Sequence, residues 1–139
     1  MKKITLSIFV ISLLSGCSTT IPKDQFHINI KSSNKSNNGN NYLVVYQQPS
    51  SMDQMAHATY DTLSQQVLDS NYQTKLVHPQ DEVDTVVFKT QDEPGAIYFI
   101  LNNKNNYNTW KYYIPAPSGG MWDCLVDENS YINCKDSEK

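Results

Sequence analysis

Three thiols, three imidazoles and one run of carboxylates are the side chains of this 139-residue sequence best suited to do chemistry. The imidazoles of His27, His57 and His78 lie far apart and fall on three different predicted elements. A surface or capping role suits each better than a shared site. Asp81, Glu82 and Asp84 gather carboxylates at one turn. That turn lacks the alternating oxygen ligands and the central glycine of a calcium loop, so it reads as solvated. There is no Gly-x-Ser-x-Gly elbow, no His-Glu-x-x-His pair and no glycine-rich phosphate loop. No catalytic residue, metal ligand or cofactor is expected, and the sequence reads as a binding module rather than an enzyme. The remaining chemistry belongs to Cys17, Cys124 and Cys134.

Cys17 closes the stretch Leu14-Ser15-Gly16-Cys17. The stretch resembles a lipobox, a small-residue cleavage site whose cysteine receives lipid. Lys2 and Lys3 form a short positive region ahead of it, and Ile4 to Leu14 form an uncharged apolar run. At about eleven residues that run suits a signal peptide and is too short to span a bilayer. The expected organisation is a signal peptide over 1–16, a lipidated tether over 17–24 and a folded domain over 25–139. Ser18 follows the cysteine and no aspartate follows Ser18. This resembles an outer-membrane sorting address and places the domain on the periplasmic face. One acyl chain binds only marginally, at ~0.8 kcal/mol per buried methylene, but a lipobox implies several chains.

Beyond an export signal the compartment is oxidising, where cysteine pairs persist as disulfides. Met121 to Val126 and Tyr131 to Cys134 read as strands around the polar turn Asp127-Glu128-Asn129-Ser130. With a loop of Glu128, Asn129 and Ser130, Asp127 faces Tyr131 and Cys124 faces Cys134. A cross-strand disulfide then closes the hairpin, worth roughly 2–3 kcal/mol for so short a loop. The alternative, a metal site, has no histidine nearby.

The mature part, about 120 residues, suffices for one domain with a modest core. Every basic residue is lysine and the net charge is −3. Arginine is the preferred residue for bidentate phosphate and base-edge contacts, so its absence argues against nucleic acid as a partner. Asparagines cluster from Asn34 to Asn41 and from Asn102 to Asn108, and both clusters read as exposed loops.

The elements around these loops are mostly strands. Phe26, Ile28 and Ile30 alternate with polar neighbours, the period of a half-buried strand. Tyr42 to Gln47 is apolar on both faces and is expected to be central. Ser51 and Gln54 have capping-box spacing. One helix follows to Asp69, with Met52, Met55, Ala56, Tyr60, Leu63 and Val67 on its packed face and His57-Ala58-Thr59 as its weak point. Strands then recur at Tyr72 to Val77, Val83 to Thr90, Ala96 to Leu101 and Trp110 to Ile114, before the terminal hairpin. Eight short strands with one inserted helix predict a mainly β protein, a two-sheet β-sandwich.

With its elements placed, the chain resembles the outer-membrane lipoproteins of type VI secretion systems, the TssJ family. The similarity runs from about Phe26 to Ile114 and lies in the order of elements. Leu43-Val44-Val45-Tyr46-Gln47 stands where that family has a valine-valine-x-x-tyrosine strand. Met55 to Leu63, Val67-Leu68, Pro79, the core strand Ala96 to Leu101 and Trp110 follow in order. The Asn-Pro of the first loop, the Ser-Pro before the second strand and a family precedent for the cysteine hairpin are missing. The resemblance implies a transthyretin-like sandwich with an inserted helical segment. It also implies a role: docking the periplasmic domain of an inner-membrane, TssM-like secretion protein to the outer membrane.

In the resembled family the loop between the first two strands touches the inner-membrane partner. Here that loop is Ser33, Asn34, Lys35, Ser36, Asn37, Asn38, Gly39, Asn40 and Asn41. It reads as too polar for a buried role and too long for a tight hairpin. Shortening Asn34 to Asn40 to an Asn-Gly turn is therefore expected to spare folding and abolish binding. The Asn102 to Asn108 loop is the alternative contact. Two other readings remain open, a periplasmic lysozyme-inhibitor lipoprotein and a secretin pilotin. Ser118-Gly119-Gly120-Met121 only partly matches the inhibitory loop of the former.

Overall fold

Alternating apolar residues build β1 (Gln25–Ser32), whose Phe26, Ile28, Ile30 and Ser32 point inward while the residues between them stay open. A computed structural model describes residues 20–66, 71–102 and 109–139. The other strands are β2 (Tyr42–Gln47), β3 (Tyr72–Val77), β4 (Val83–Lys89), β5 (Gly95–Ile100), β6 (Lys111–Ile114), β7 (Met121–Val126) and β8 (Ile132–Asp136). They form two four-stranded sheets, ordered β4-β1-β7-β8 and β3-β2-β5-β6. All neighbours are antiparallel except β1 and β7, which run parallel. The sheets pack face to face as a β-sandwich.

Large side chains fill the space between the sheets. Tyr46 of β2 stacks on Phe88 of β4 at 5.2 Å and meets Phe26 of β1 at 5.7 Å. Its hydroxyl pairs with Thr90 Oγ1 at 2.7 Å, so the buried oxygen keeps a partner. Gly95 opens β5 against this ring: a Cβ there would sit 2.7 Å from Tyr46 Cε2. At the other margin Tyr112 meets Trp122 edge-on at 6.2 Å and donates to Ile132 O at 2.9 Å, joining β6 to β7 and β8. Cys124 and Cys134 face each other across β7 and β8 and are bonded.

The central place of β2 follows from its two apolar faces. Tyr42, Val44 and Tyr46 enter the sandwich, while Val45 lies buried on the opposite face beneath the helical segment. That segment is two helices, α1 (Met52–His57) and α2 (Tyr60–Gln66), divided at the weak point expected in the single helix, His57-Ala58-Thr59. Ser51 and Gln54 form the capping box of α1. Ala58 turns extended, and the Thr59 hydroxyl then accepts the Thr62 N–H at 3.2 Å and starts α2. Lys111 Nζ bonds the Ala56 and Ala58 carbonyls, satisfying the end of α1. Met55, Tyr60 and Leu63 pack on the core, but Met52 is 62 % exposed and Ala56 is also exposed. Val67 and Leu68 lie outside the described residues.

A candidate partner-binding end of the sandwich

Strand direction sorts the loops into two ends. One end holds the start of β1, the turn before β7 and the segment that leads in from the chain's amino-terminal side. Gln25 N donates to Pro22 O, Gly119 N donates to Gln25 O, and the Ser118 hydroxyl bonds Lys23 O. Gly119 has a φ of +68°, and a Cβ there would lie 3.5 Å from Ile21 O. Residues 21–24 are thus fastened to the 117–120 turn. The opposite end, called the distal cap below, collects the described residues of the connections, 33–41, 78–82, 101–102, 109–110 and 127–131.

The first of these connections organises the cap. Ser36 and Asn37 are fully buried, contrary to the expectation that the segment is too polar for burial. Polar side chains are buried when hydrogen bonds replace water, and both have them. Ser36 Oγ is 3.0 Å from Val126 O and 2.8 Å from Asp127 O. Asn37 N donates to Ser130 Oγ at 2.9 Å. Asn37 Nδ2 donates to Asn40 O and Asn41 O, and its Oδ1 accepts the Asn102 N–H at 2.7 Å. Asn34 N reaches Asp81 Oδ1 at 3.3 Å, and Asn41 Oδ1 pairs with His78 Nδ1 at 2.6 Å. One nine-residue segment therefore binds every other connection at this end.

Its backbone is specialised. Asn37 and Asn38 have φ of 51° and 56°, and Gly39 has 77°, giving a tight turn over Ser36–Gly39. Asparagine tolerates the left-handed region better than other side-chain-bearing residues. Ser130 is left-handed too, at φ 65°, and Asp127 Oδ1 accepts the Asn129 and Tyr131 N–H groups at 2.9 and 2.8 Å. What the cap offers to solvent is Asn34, Lys35, Asn38, Gly39, Asn40 and Asn41, with Asp81, Glu82, Glu128 and Asn129 beside them. The surface is amide-rich with an acidic rim. Deep to it, the Tyr42 hydroxyl is buried between the sheets. Burial pushes its pKa up to about 12, with Ser32 pulling it down and the Asp84 charge adding to the rise.

The other singled-out residues divide plainly. Cys17 lies outside the described residues, as do Asn103 to Asn108 of the alternative loop. The three histidines stay apart: His27 bonds Gln25, His57 bonds the Asp53 carbonyl, and His78 bonds Asn41. Asp81 serves the cap through Asn34. Trimming Asn34 to Asn40 now carries an expected cost to folding, because it removes Ser36 and Asn37. No local pattern marked those two as anchors, since the partners that tie them to the other connections are 65 to 93 residues away.

A sandwich with helices over one sheet and a hydrogen-bonded loop cap at one end has the fold of TssJ-type secretion lipoproteins. Residues 42–125 match the family described as IglE, N-terminal domain, and the chain belongs to that family. Serratia marcescens Lip, a membrane-bound component of the type VI secretion system, is similar with TM-score 0.63 and 9% identity. The match covers 81% of this chain and 96% of that one. The lipoprotein TssJ1 of Pseudomonas aeruginosa gives 0.57 at 14% identity, over 83% and 97% of the two chains. A structure described as the TssM C-terminal domain from EAEC gives 0.63 at 13% identity, over 80% and 97%. No curated protein matches.

Proposed function

We propose that the chain is an outer-membrane lipoprotein of a type VI secretion membrane complex. It docks the periplasmic domain of a TssM-like inner-membrane partner through the distal cap. The observation that carries the reading is the position and build of the cap. It stands at the end of the sandwich opposite residues 21–24, and the internal hydrogen bonds of Ser36 and Asn37 hold its exposed amides in one arrangement. A preformed surface loses less freedom on binding than a floppy loop does. Between Cys17 and the fastened Ile21 only a few residues remain, a reach of roughly 14 Å. The domain is therefore held close to the lipid, with its cap at the end away from the tether. The names of the similar proteins, a membrane-bound component and a lipoprotein of one secretion system, support the same reading. The role is one of binding rather than catalysis.

The test is calorimetry of the full-length chain in detergent against the partner's periplasmic domain. Truncating the exposed side chains of Asn34, Lys35 and Asn40 together to alanine should weaken binding roughly 10–100-fold, as loss of a contact centre does. Unfolding should not change, because those three contribute only backbone groups to the cap. Unchanged affinity would move the contact elsewhere. In parallel, Cys17→Ser should release the protein from outer membranes without altering that affinity. The lysozyme-inhibitor reading loses its main prop, since Ser118 and Gly119 are committed to residues 21–25.

A further inference from the structure

The edge of β4 carries an inference of its own. Among the described residues β4 is the outermost strand of its sheet, paired only with β1. At Lys89 the outward N–H and C=O are taken by the side-chain amide of Gln73, at 2.9 and 2.7 Å. That geometry fixes which groups look outward. His27 N, on the opposite side of β1, donates to Gly120 O, in keeping with the same alternation. Val87, Thr85 and Val83 therefore present their N–H and C=O groups away from the sheet. Among the described residues no hydrogen bond takes up this stretch. Val83 and Val87 are also 58 % and 37 % exposed, on the sheet face that none of the described helices covers. A short, apolar, unpaired strand edge is a template for another strand.

We propose that the occupant of this edge is a second copy of the same chain, paired antiparallel about a twofold axis at Thr85. The sequence is self-complementary in that register. Val83 faces Val87 of the copy, Thr85 faces Thr85, and Val87 faces Val83. All three residues are of the outward-bonding kind, so each pair exchanges both backbone bonds. The same operation brings Asp81 and Glu82 of one copy toward Lys89 of the other, acid against base at both ends. No other register centred within β4 matches valine to valine and charge to opposite charge together. Pairing stops at Val87, because Gln73 already occupies the Lys89 edge. The axis runs normal to the sheet, so both uncovered faces look the same way. The caps, and with them the two 21–24 ends, lie at opposite ends of the joined sheet, so both anchors reach one membrane when the twofold axis stands along the membrane normal; of each cap only the acidic rim, Asp81 and Glu82, enters the seam.

Cysteine cross-linking of the purified full-length chain in detergent tests this under mild oxidation. In a bonded antiparallel pair the facing Cα atoms are about 5.5 Å apart, within disulfide range. Thr85→Cys should therefore give a covalent dimer on a non-reducing gel. The unsubstituted chain and Lys31→Cys, one strand further in, should stay monomeric. Adding Val83→Lys and Val87→Lys to the Thr85→Cys chain sets lysine against lysine across the seam. It should cut the dimer severalfold while thermal unfolding stays unchanged. Absence of the Thr85→Cys dimer, equal cross-linking at Lys31, or a dimer indifferent to the two lysines would each overturn the proposal. So would capture of a different protein by Thr85→Cys in cells.

Discussion

Replacing Asn37 by alanine removes one amide that holds three stretches of backbone. The Asn102 N–H loses an acceptor at 2.7 Å, and the Asn40 and Asn41 carbonyls lose donors at 3.2 and 3.0 Å. A net hydrogen bond is worth about 1 kcal/mol, and a buried group left unmet costs ~1–3 kcal/mol. Asn40, Asn41 and Asn102 are exposed residues, so water replaces part of each lost bond and the lower figure applies. The three bonds then contribute about 3 kcal/mol. Alanine also sits poorly at φ 51°, which adds about 1 kcal/mol. The expected loss is ~4 kcal/mol, a large share of the 5–15 kcal/mol typical of a domain. Asn37→Gly loses the same bonds without the backbone strain and should be about 1 kcal/mol milder. Urea unfolding followed by tryptophan fluorescence measures both variants, with an unchanged m-value showing that the native state is comparable. Hydrogen exchange should localise the loosening to residues 33–41 and the 127–131 turn. A loss below about 1 kcal/mol for alanine, or glycine no better than alanine, would refute the account of the cap as a set of bonds centred on Asn37.

Three further outcomes follow from the core. Burial pushes Tyr42, Tyr46 and Tyr98 up to about 12 from an ordinary 10.0, so the unfolded chain gives up these protons first. Stability should be full below about pH 10 and fall toward pH 12, by about 1.4 kcal/mol per pH unit for each tyrosine. A thermal midpoint that stays flat from pH 10 to pH 12 would contradict this. Gly95→Ala places a methyl 2.7 Å from a Tyr46 ring that Phe26, Phe88 and Thr90 hold on its other sides. The expected cost is ~1–3 kcal/mol in urea, and a neutral result would mean the ring yields freely. Replacing Cys124 and Cys134 by alanine should lower stability by roughly 2–3 kcal/mol while leaving the circular dichroism of the sheets intact. A reductant should then have no effect on the double variant.

Much of the scaffold was legible because its signals are local. Alternation at Phe26, Ile28 and Ile30, two apolar faces on β2, and the unbroken apolar run of β5 each report burial within a few residues. The terminal hairpin was readable for the same reason: turn length alone sets the register that opposes Cys124 to Cys134. The helical segment was half legible. Its cap at Ser51 and its weak point at Ala58 stood in the sequence. Yet the exposure of Met52 depends on how α1, cut short at Ala58, lies against the sheet. Sheet order was not legible at all, since the parallel pairing of β1 with β7 joins segments about ninety residues apart.

The cap shows why an asparagine-rich loop misleads a reading by composition. Polarity predicts exposure only when water is the best partner on offer. Around Asn37 the alternatives are backbone groups stranded at the ends of β2, β5 and β7, which need partners wherever the strands stop. A primary amide supplies a donor and an acceptor at once, and asparagine also accepts the left-handed backbone that brings it inward. The same composition thus serves two purposes on adjacent residues. Ser36 and Asn37 turn in and close the sandwich, while Asn34, Lys35, Asn38 and Asn40 turn out. Deleting the loop removes both functions together and cannot separate them. Substituting the outward set tests recognition, and substituting Asn37 tests the frame that presents it.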